Sequence, residues 1–224
     1  MRKTFREVNH PFKSLLGKRV FDTVIIVVSI PVWLPLLLGV ALLVRWKLGA
    51  PVLFRQPRPG LNGKPFELLK FRTMTDNRNQ AGQLLPDSQR LTPLGQWLRS
   101  TSLDELPEII NILGGKMSLV GPRPLLTQYL TRYTPEQSRR HETLPGLTGW
   151  AQVNGRNAIS WEEKFKLDVW YVDNRSLWLD LRILLTTIGS TLLRKGISAQ
   201  GEATMPEFMG SESVCNIDRN SSAR

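Results

Sequence analysis

Two acidic side chains, Asp104 and Glu105, stand side by side in the string SLDELPEIINIL, residues 102–113. One carboxylate can attack an electrophilic phosphorus while another holds a divalent cation, so an adjacent pair is a candidate for phosphoryl chemistry. The pattern predicts a helix start here, with Pro107 in the first turn, where its missing N–H has no partner to lose. Neighbouring helical residues point about 100° apart, which gives the two carboxylates different directions and different uses. The position also has an ordinary use, because acidic residues in a first helical turn complement the helix dipole by about 0.3–1 kcal/mol each. Both readings stand on these residues alone.

Phosphoryl chemistry needs cations as well. Gly121-Pro122-Arg123-Pro124 is a stiff loop presenting an arginine, whose planar fork can grip phosphate oxygens in pairs. Lys70, Arg72 and Arg99 can add charge to the same place, although such a residue taken alone is more often a solvated or lipid-facing cation. The stretch Gly146 to Arg156, GLTGWAQVNGR, reads as turn, short strand, turn, the signature of a hairpin with tight backbone positions.

These residues sit in a strongly basic chain. Thirty Lys and Arg against nineteen Asp and Glu give a formal charge of +11 over 224 residues, which fits a polyanionic partner: nucleic acid, anionic lipid or a phosphate-rich substrate. The length suits one catalytic-sized domain with attachments. A single cysteine, Cys215, rules out an internal disulfide framework and a cysteine-rich zinc site. With only His10 and His141, a histidine metal cluster is disfavoured too, and a reducing compartment is expected.

The apolar run from Val20 to Val44, VFDTVIIVVSIPVWLPLLLGVALLV, is long enough as a helix to cross a hydrocarbon core of roughly 30 Å. Pro31 and Pro35 lie near its middle, and each predicts a kink by removing a helical hydrogen bond. Arg2, Lys3, Arg6, Lys13, Lys18 and Arg19 precede it, while Arg45, Lys47, Arg55 and Arg58 follow, so both flanks read as cytoplasmic. A helix that enters, kinks and returns to the same face satisfies both facts; an ordinary span and a buried core helix remain the rivals. Asp22 lies one turn from Arg19, where both are expected to stay in the interface. The run is too long for a signal peptide and no small-x-small cleavage site follows it.

Downstream, residues 52–74 predict an antiparallel hairpin around Pro59-Gly60 and Asn62-Gly63, and residues 75–92 an exposed loop. Helical patterning returns at Leu94–Leu98 and after Asp104, and Ser160-Trp161-Glu162-Glu163 has capping-box spacing for a helix to about Tyr171. Residues 176–195 place Trp178, Leu181, Leu185 and Ile188 on one helical side, which suits either a membrane interface or a core contact. The expected organisation is a basic segment 1–19, a re-entrant helix 20–47, a catalytic domain 48–200 and a polar, disordered tail 201–224. The expected fold class is α+β: a mostly helical monotopic membrane protein with small β-hairpins and interfacial amphipathic helices.

Taken in order, KRVFD (18–22), FRQPRPG (54–60), FELLKFRTM (66–74), SLDELPE, MSLVGPRPLL (117–126), LPGLTGWAQVNGRNAISWEEK (144–164) and LDL (179–181) resemble the bacterial sugar transferase family, the monotopic polyprenyl-phosphate phosphoglycosyl transferases. The resemblance covers roughly residues 15 to 210 and is nearest to small, core-only members such as the one that transfers diacetylbacillosamine phosphate. It implies Asp104 as nucleophile, Glu105 as Mg²⁺ ligand, Pro122, Arg123 and Pro124 as the phosphate-binding loop, and Lys70 and Arg99 as cations near the phosphates. It also gives Asp168 a functional part, and Arg72 and Arg156 are added as substrate-binding candidates. Relatives have Ser-Pro at the re-entrant kink, a place taken here by Leu34-Pro35.

The implied reaction is transfer of a sugar-1-phosphate, N-acetylated by analogy, from a UDP-sugar to polyprenyl phosphate, with an aspartyl-phosphosugar intermediate and UMP as the leaving product. The partners are then the donor, the acceptor and membrane lipids, with a possible homodimer and no nucleic acid, at the cytoplasmic face of the bacterial inner membrane. A non-catalytic basic membrane adaptor and a hydrolase sharing the intermediate are the alternatives.

Overall fold

The computed structural model describes residues 15–155, 159–192 and 207–210. The fold is α+β, mostly helical, with two small sheets. Helices α1 (Leu15–Val28) and α2 (Ile30–Leu48) replace the single apolar run, and the break falls at Ser29, just ahead of Pro31. The Ser29 hydroxyl donates to the carbonyl oxygens of Ile25 (2.7 Å) and Ile26 (3.2 Å), and Trp33 Nε1 donates to Ile26 (2.9 Å). These bonds satisfy acceptors that a proline-interrupted helix leaves open. Pro35, the other expected kink, sits inside an uninterrupted α2, so Ser29 and Pro31 mark the break rather than Leu34-Pro35.

Both helices dock on one domain. Ile26 of α1 joins a core with Leu68, Ile109, Ile112, Met117, Val120, Tyr171 and Ile183. Val40 and Val44 of α2 pack with Phe71 and Leu98. Asp22 does not stay at the surface beside Arg19 as expected: it turns inward, 1% exposed, and accepts from the backbone N–H of Leu119 at 3.4 Å. Arg19 instead donates to the carbonyls of Ile112 (2.6 Å) and Leu113, where cations complement a helix C-terminus. Lys18 bonds Asp180 Oδ2 at 2.6 Å and Tyr171 Oη at 3.2 Å, so the KRVFD and LDL strings meet in the interior.

Strands β1 (Leu53–Pro59) and β2 (Pro65–Phe71) form the expected antiparallel hairpin, from the pair Leu53↔Phe71 to Pro59↔Pro65. Its turn needs left-handed backbone at Asn62 (φ 54) and Gly63 (φ 72), which this dipeptide tolerates. The polar stretch that follows is largely irregular, apart from the short helix α3 (Asp87–Arg90), and leads into α4 (Pro93–Ser100), capped by Thr92. A 3₁₀ turn at Leu103–Glu105 precedes α5 (Glu108–Leu113).

Strand β3 (Ser118–Val120) pairs with β4 (Gly146–Thr148) in parallel, across a crossover carrying the short helix α6 (Pro135–Ser138). The stretch expected to form a hairpin from Gly146 therefore differs: its strand pairs in parallel with a distant partner, and Trp150–Asn154 coils into α7. Where the chains cross, a Cβ on Gly146 would stand 2.0 Å from the Gly121 nitrogen, so no side chain fits. Ser160 and Glu163 make the capping box of α8 (Trp161–Asn174), which runs one turn past the expected end. Helix α9 (Leu177–Leu192) buries Leu179 and Ile183 and leaves Trp178, Leu185 and Ile188 exposed, at 75%, 62% and 57%.

Candidate active site

Four elements bring the charged groups together. Asn111 of α5 clamps β2 from the side: its Oδ1 accepts from Leu69 N (2.9 Å) and its Nδ2 donates to Glu67 O (2.7 Å). The clamp sets the next residue, Lys70, against the acidic turn. Lys70 Nζ reaches Glu105 Oε1 at 2.5 Å and Glu108 Oε1 at 3.4 Å. Arg123, from the loop after β3, closes on the same Glu105 oxygen and reaches Oε2 at 3.4 Å. Arg99 of α4 is steadied by Thr73 Oγ1 at 3.2 Å, and its charge acts on Asp104.

The acidic pair lies in the 3₁₀ turn and not in the first turn of α5, so its side chains diverge by about 120°. The two carboxylates then differ in partners. Burial alone would raise the Glu105 pKa, but Arg123 and Lys70 outweigh it and hold the group at about 2. Asp104 is 8% exposed and, among the described residues, makes no side-chain hydrogen bond or ion pair. Burial and the neighbouring Glu105 raise its pKa, against the pull of Lys70, Arg123 and Arg99. The result is an unencumbered carboxyl surrounded by cations, beside an arginine whose side chain is 39% exposed.

Glu108, one turn after Glu105, was missed by the sequence reading although its three-residue spacing was visible. Burial, and then the charge on Glu105, push it up to about 7. A deeper layer holds the Pro122–Arg123–Pro124 loop in place. Arg140 donates to Arg123 O at 2.9 Å and to Asp168 Oδ2 at 2.7 and 3.1 Å, and to Tyr133 Oη at 3.2 Å. Asp168 is thus brought beneath the loop, 2% exposed, and not to the open cluster. Burial raises its pKa, opposed by Arg140 and Lys164. Arg72 also leaves the cluster: it donates to Leu48 O and, at 3.1 Å, to Ala50 O, fastening the end of α2. Arg156 lies outside the described residues.

A free buried carboxyl, a neutralised neighbour and three converging cations define a site built for phosphate chemistry. The bacterial sugar transferase family model matches residues 13–194, and the chain belongs to that family of phosphoglycosyl transferases, which makes it an enzyme. An uncharacterized sugar transferase, EpsL, of Bacillus subtilis is 54% identical over 89% of this chain and 99% of its own length. The UDP-glucose:undecaprenyl-phosphate glucose-1-phosphate transferase of Caulobacter vibrioides is 41% identical over 79% of this chain and 70% of its own. Its namesake in Xanthomonas campestris is 39% identical over 81% of this chain, which spans only 40% of that relative.

Proposed function

We propose that this chain transfers a sugar-1-phosphate from a UDP-sugar to undecaprenyl or another polyprenyl phosphate, through a phosphosugar carried covalently on Asp104. The observation that carries the reading is the contrast between two adjacent carboxylates. Glu105 is held by Lys70 and Arg123, whereas Asp104 lies among the same cations with nothing bonded to it among the described residues. An Asp104 oxygen attacks the β-phosphorus of the donor; the bond to the bridging oxygen breaks, and its electron pair leaves with UMP. A phosphate oxygen of the acceptor then attacks the same phosphorus, giving the lipid diphosphate-sugar and restoring the aspartate.

Lys70, Arg99 and Arg123 hold the phosphate oxygens as charge shifts, and Pro122 and Pro124 keep the Arg123 backbone stiff. Asp168 acts through Arg140 as a positioning residue for that loop. Arg156 remains a substrate-binding candidate, while the bonds of Arg72 favour a structural part.

Mg²⁺ is the cofactor of this reading. Among the described residues no group of three or more His, Cys, Asp or Glu side chains is arranged to hold a metal, but Mg²⁺ needs only one or two carboxylates plus substrate phosphates. Glu105 would hold the ion once substrate phosphates draw Lys70 and Arg123 off its oxygens, with Asp104 beside it, and the bound ion would neutralise phosphate charge.

The docking of both α1 and α2 on one domain supports a re-entrant anchor, since a straight helix over residues 15–48 would carry its ends about 50 Å apart. Helix α2 is long and apolar enough to cross a membrane, and Val24, Val28, Val32, Leu38 and Leu42 are exposed. On this reading, with basic residues on both flanks of the anchor, the enzyme works at the cytoplasmic face of the inner membrane with Asp104 near the headgroups.

UMP release from a panel of UDP-sugars, with Mg²⁺ and undecaprenyl phosphate in detergent, tests the function. The N-acetylated donor implied by the family is compared with UDP-glucose and UDP-galactose, the sugars named for relatives. One donor should support turnover that requires acceptor. Full turnover without acceptor would make the protein a hydrolase, and no release from any donor would leave the membrane adaptor.

A further inference from the structure

We propose that Arg58 is a further phosphate ligand of this site, receiving the phosphate that departs with the nucleotide; the inference rests on the transfer reading above and adds a residue to it. In the sequence Arg58 counts among the basic residues behind the membrane segment and lies within the FRQPRPG string, with no role of its own assigned. The fold turns it elsewhere. On β1 it stands opposite Phe66, and directly paired residues share a face, so Arg58, Gln56 and Lys70 lie on the side of the hairpin that buries Leu68 against α5.

The surroundings of Arg58 lack a counter-charge in contact. Among the described residues no carboxylate lies within ion-pair distance; its one hydrogen bond, from Nη2 to Gln56 Oε1, measures 2.7 Å. Its Nε is enclosed and, among the described residues, has no hydrogen-bond partner. Burial and then the charge of Arg123 lower its pKa, with Glu108, Tyr129 and Tyr133 acting the other way, so these four groups lie near enough to act on it. Arg123 is neutralised by Glu105; Arg58 is not. A half-buried guanidinium beside another cation, with an enclosed N–H unpaired, is unfavourable in the free protein and is relieved by an oxyanion.

Position along the hairpin says which phosphate. The pair Phe54↔Lys70 lies next to the end that meets α2, and Arg58↔Phe66 comes four residues further on, about 13 Å away at the usual strand rise. The acceptor's tail stays in lipid on the α2 side, so its phosphate arrives at the Lys70 end. Arg58 faces the far end, where the nucleotide half of the donor must lie.

The test uses full-length wild type, Arg58→Ala, Arg58→Lys and, as a control from the same strand, Arg55→Ala, whose exposed side chain pairs with Glu67. UMP is the probe, both as a product inhibitor and as a ligand in calorimetry. Arg58→Ala should raise the UMP Kd, the UMP Ki and the donor KM about tenfold, the loss of one charge-assisted contact, while the acceptor KM stays within about twofold. Arg58→Lys should recover part of the loss, and Arg55→Ala should match wild type. An unchanged UMP Kd in either Arg58 variant, or an effect confined to the acceptor KM, overturns the proposal. If Arg58→Ala does not fold, Arg58→Lys decides, because a point charge cannot replace the planar fork and must still weaken UMP. A wild type that turns over no UDP-sugar sinks the transfer reading instead, and UMP calorimetry still decides on Arg58.

Discussion

Asp168→Asn keeps the shape of the side chain and removes its charge, and the ion pair it breaks is deeply buried: the Arg140 and Asp168 side chains are 1% and 2% exposed. Arg140 would keep Tyr133 Oη and Arg123 O as acceptors but lose its only counter-charge among these partners. Removing one partner of a buried pair costs about 3–5 kcal/mol. At about 2–4 °C per kcal/mol for a chain of this size, Tm should fall by roughly 6–20 °C. Unfolding in detergent can be followed by the fluorescence of the seven tryptophans. The same change loosens the carbonyl of Arg123, and a misplacement near 1 Å can cost about a hundredfold in rate. An Arg140→Met/Asp168→Leu double variant should regain most of the stability, because apolar replacement of a buried pair is often neutral, yet stay slow, because nothing then grips Arg123. A wild-type Tm for Asp168→Asn with activity lost would make Asp168 a substrate ligand and refute the positioning argument.

Two further outcomes follow from the charges and the anchor. Glu108 titrates near pH 7 in the fold against an ordinary value of 4.5, so between these values the folded state holds a proton that the unfolded chain has lost. Stability carried by this group is therefore present at low pH and declines as pH rises from about 4.5 to 7; Glu108→Gln should flatten the slope of Tm over that window, and an unaltered slope would contradict the assignment. For the anchor, cysteines at positions 16 and 55 in a Cys215→Ser background should both react with an impermeant maleimide in inside-out vesicles and neither in right-side-out ones. Labelling of the two sites from opposite sides would mean an ordinary span.

The hairpin and the α8 cap were legible because their signals are local: Asn62-Gly63 supplies the left-handed turn, and Ser160 with Glu163 closes a cap within one turn. The kink region was legible but its position was not. Two prolines compete there, and the break goes to the one with a hydroxyl two residues before it, Ser29, able to take up freed carbonyls. The parallel pairing of Ser118–Val120 with Gly146–Thr148 depends on a long-range register that no local pattern encodes. At the site, the strings around Asp104, Glu105, Lys70, Arg99 and Arg123 led to residues that do converge. Arg140 and Asn111 went unnoticed because each works through backbone carbonyls and amides distant in sequence. Arg72 was read by charge alone and Asp168 from the family resemblance; burial and partner geometry set both apart from the open cluster.

The central claim is that Asp104 carries the phosphosugar. Wild-type protein mixed with UDP-sugar and Mg²⁺ but no acceptor, quenched and digested, should show by mass spectrometry one added phosphosugar on the peptide containing Asp104. Added polyprenyl phosphate should discharge it, and Asp104→Asn should neither acquire the mass nor turn over. Full turnover by Asp104→Asn, or the same adduct on another residue, would contradict the account.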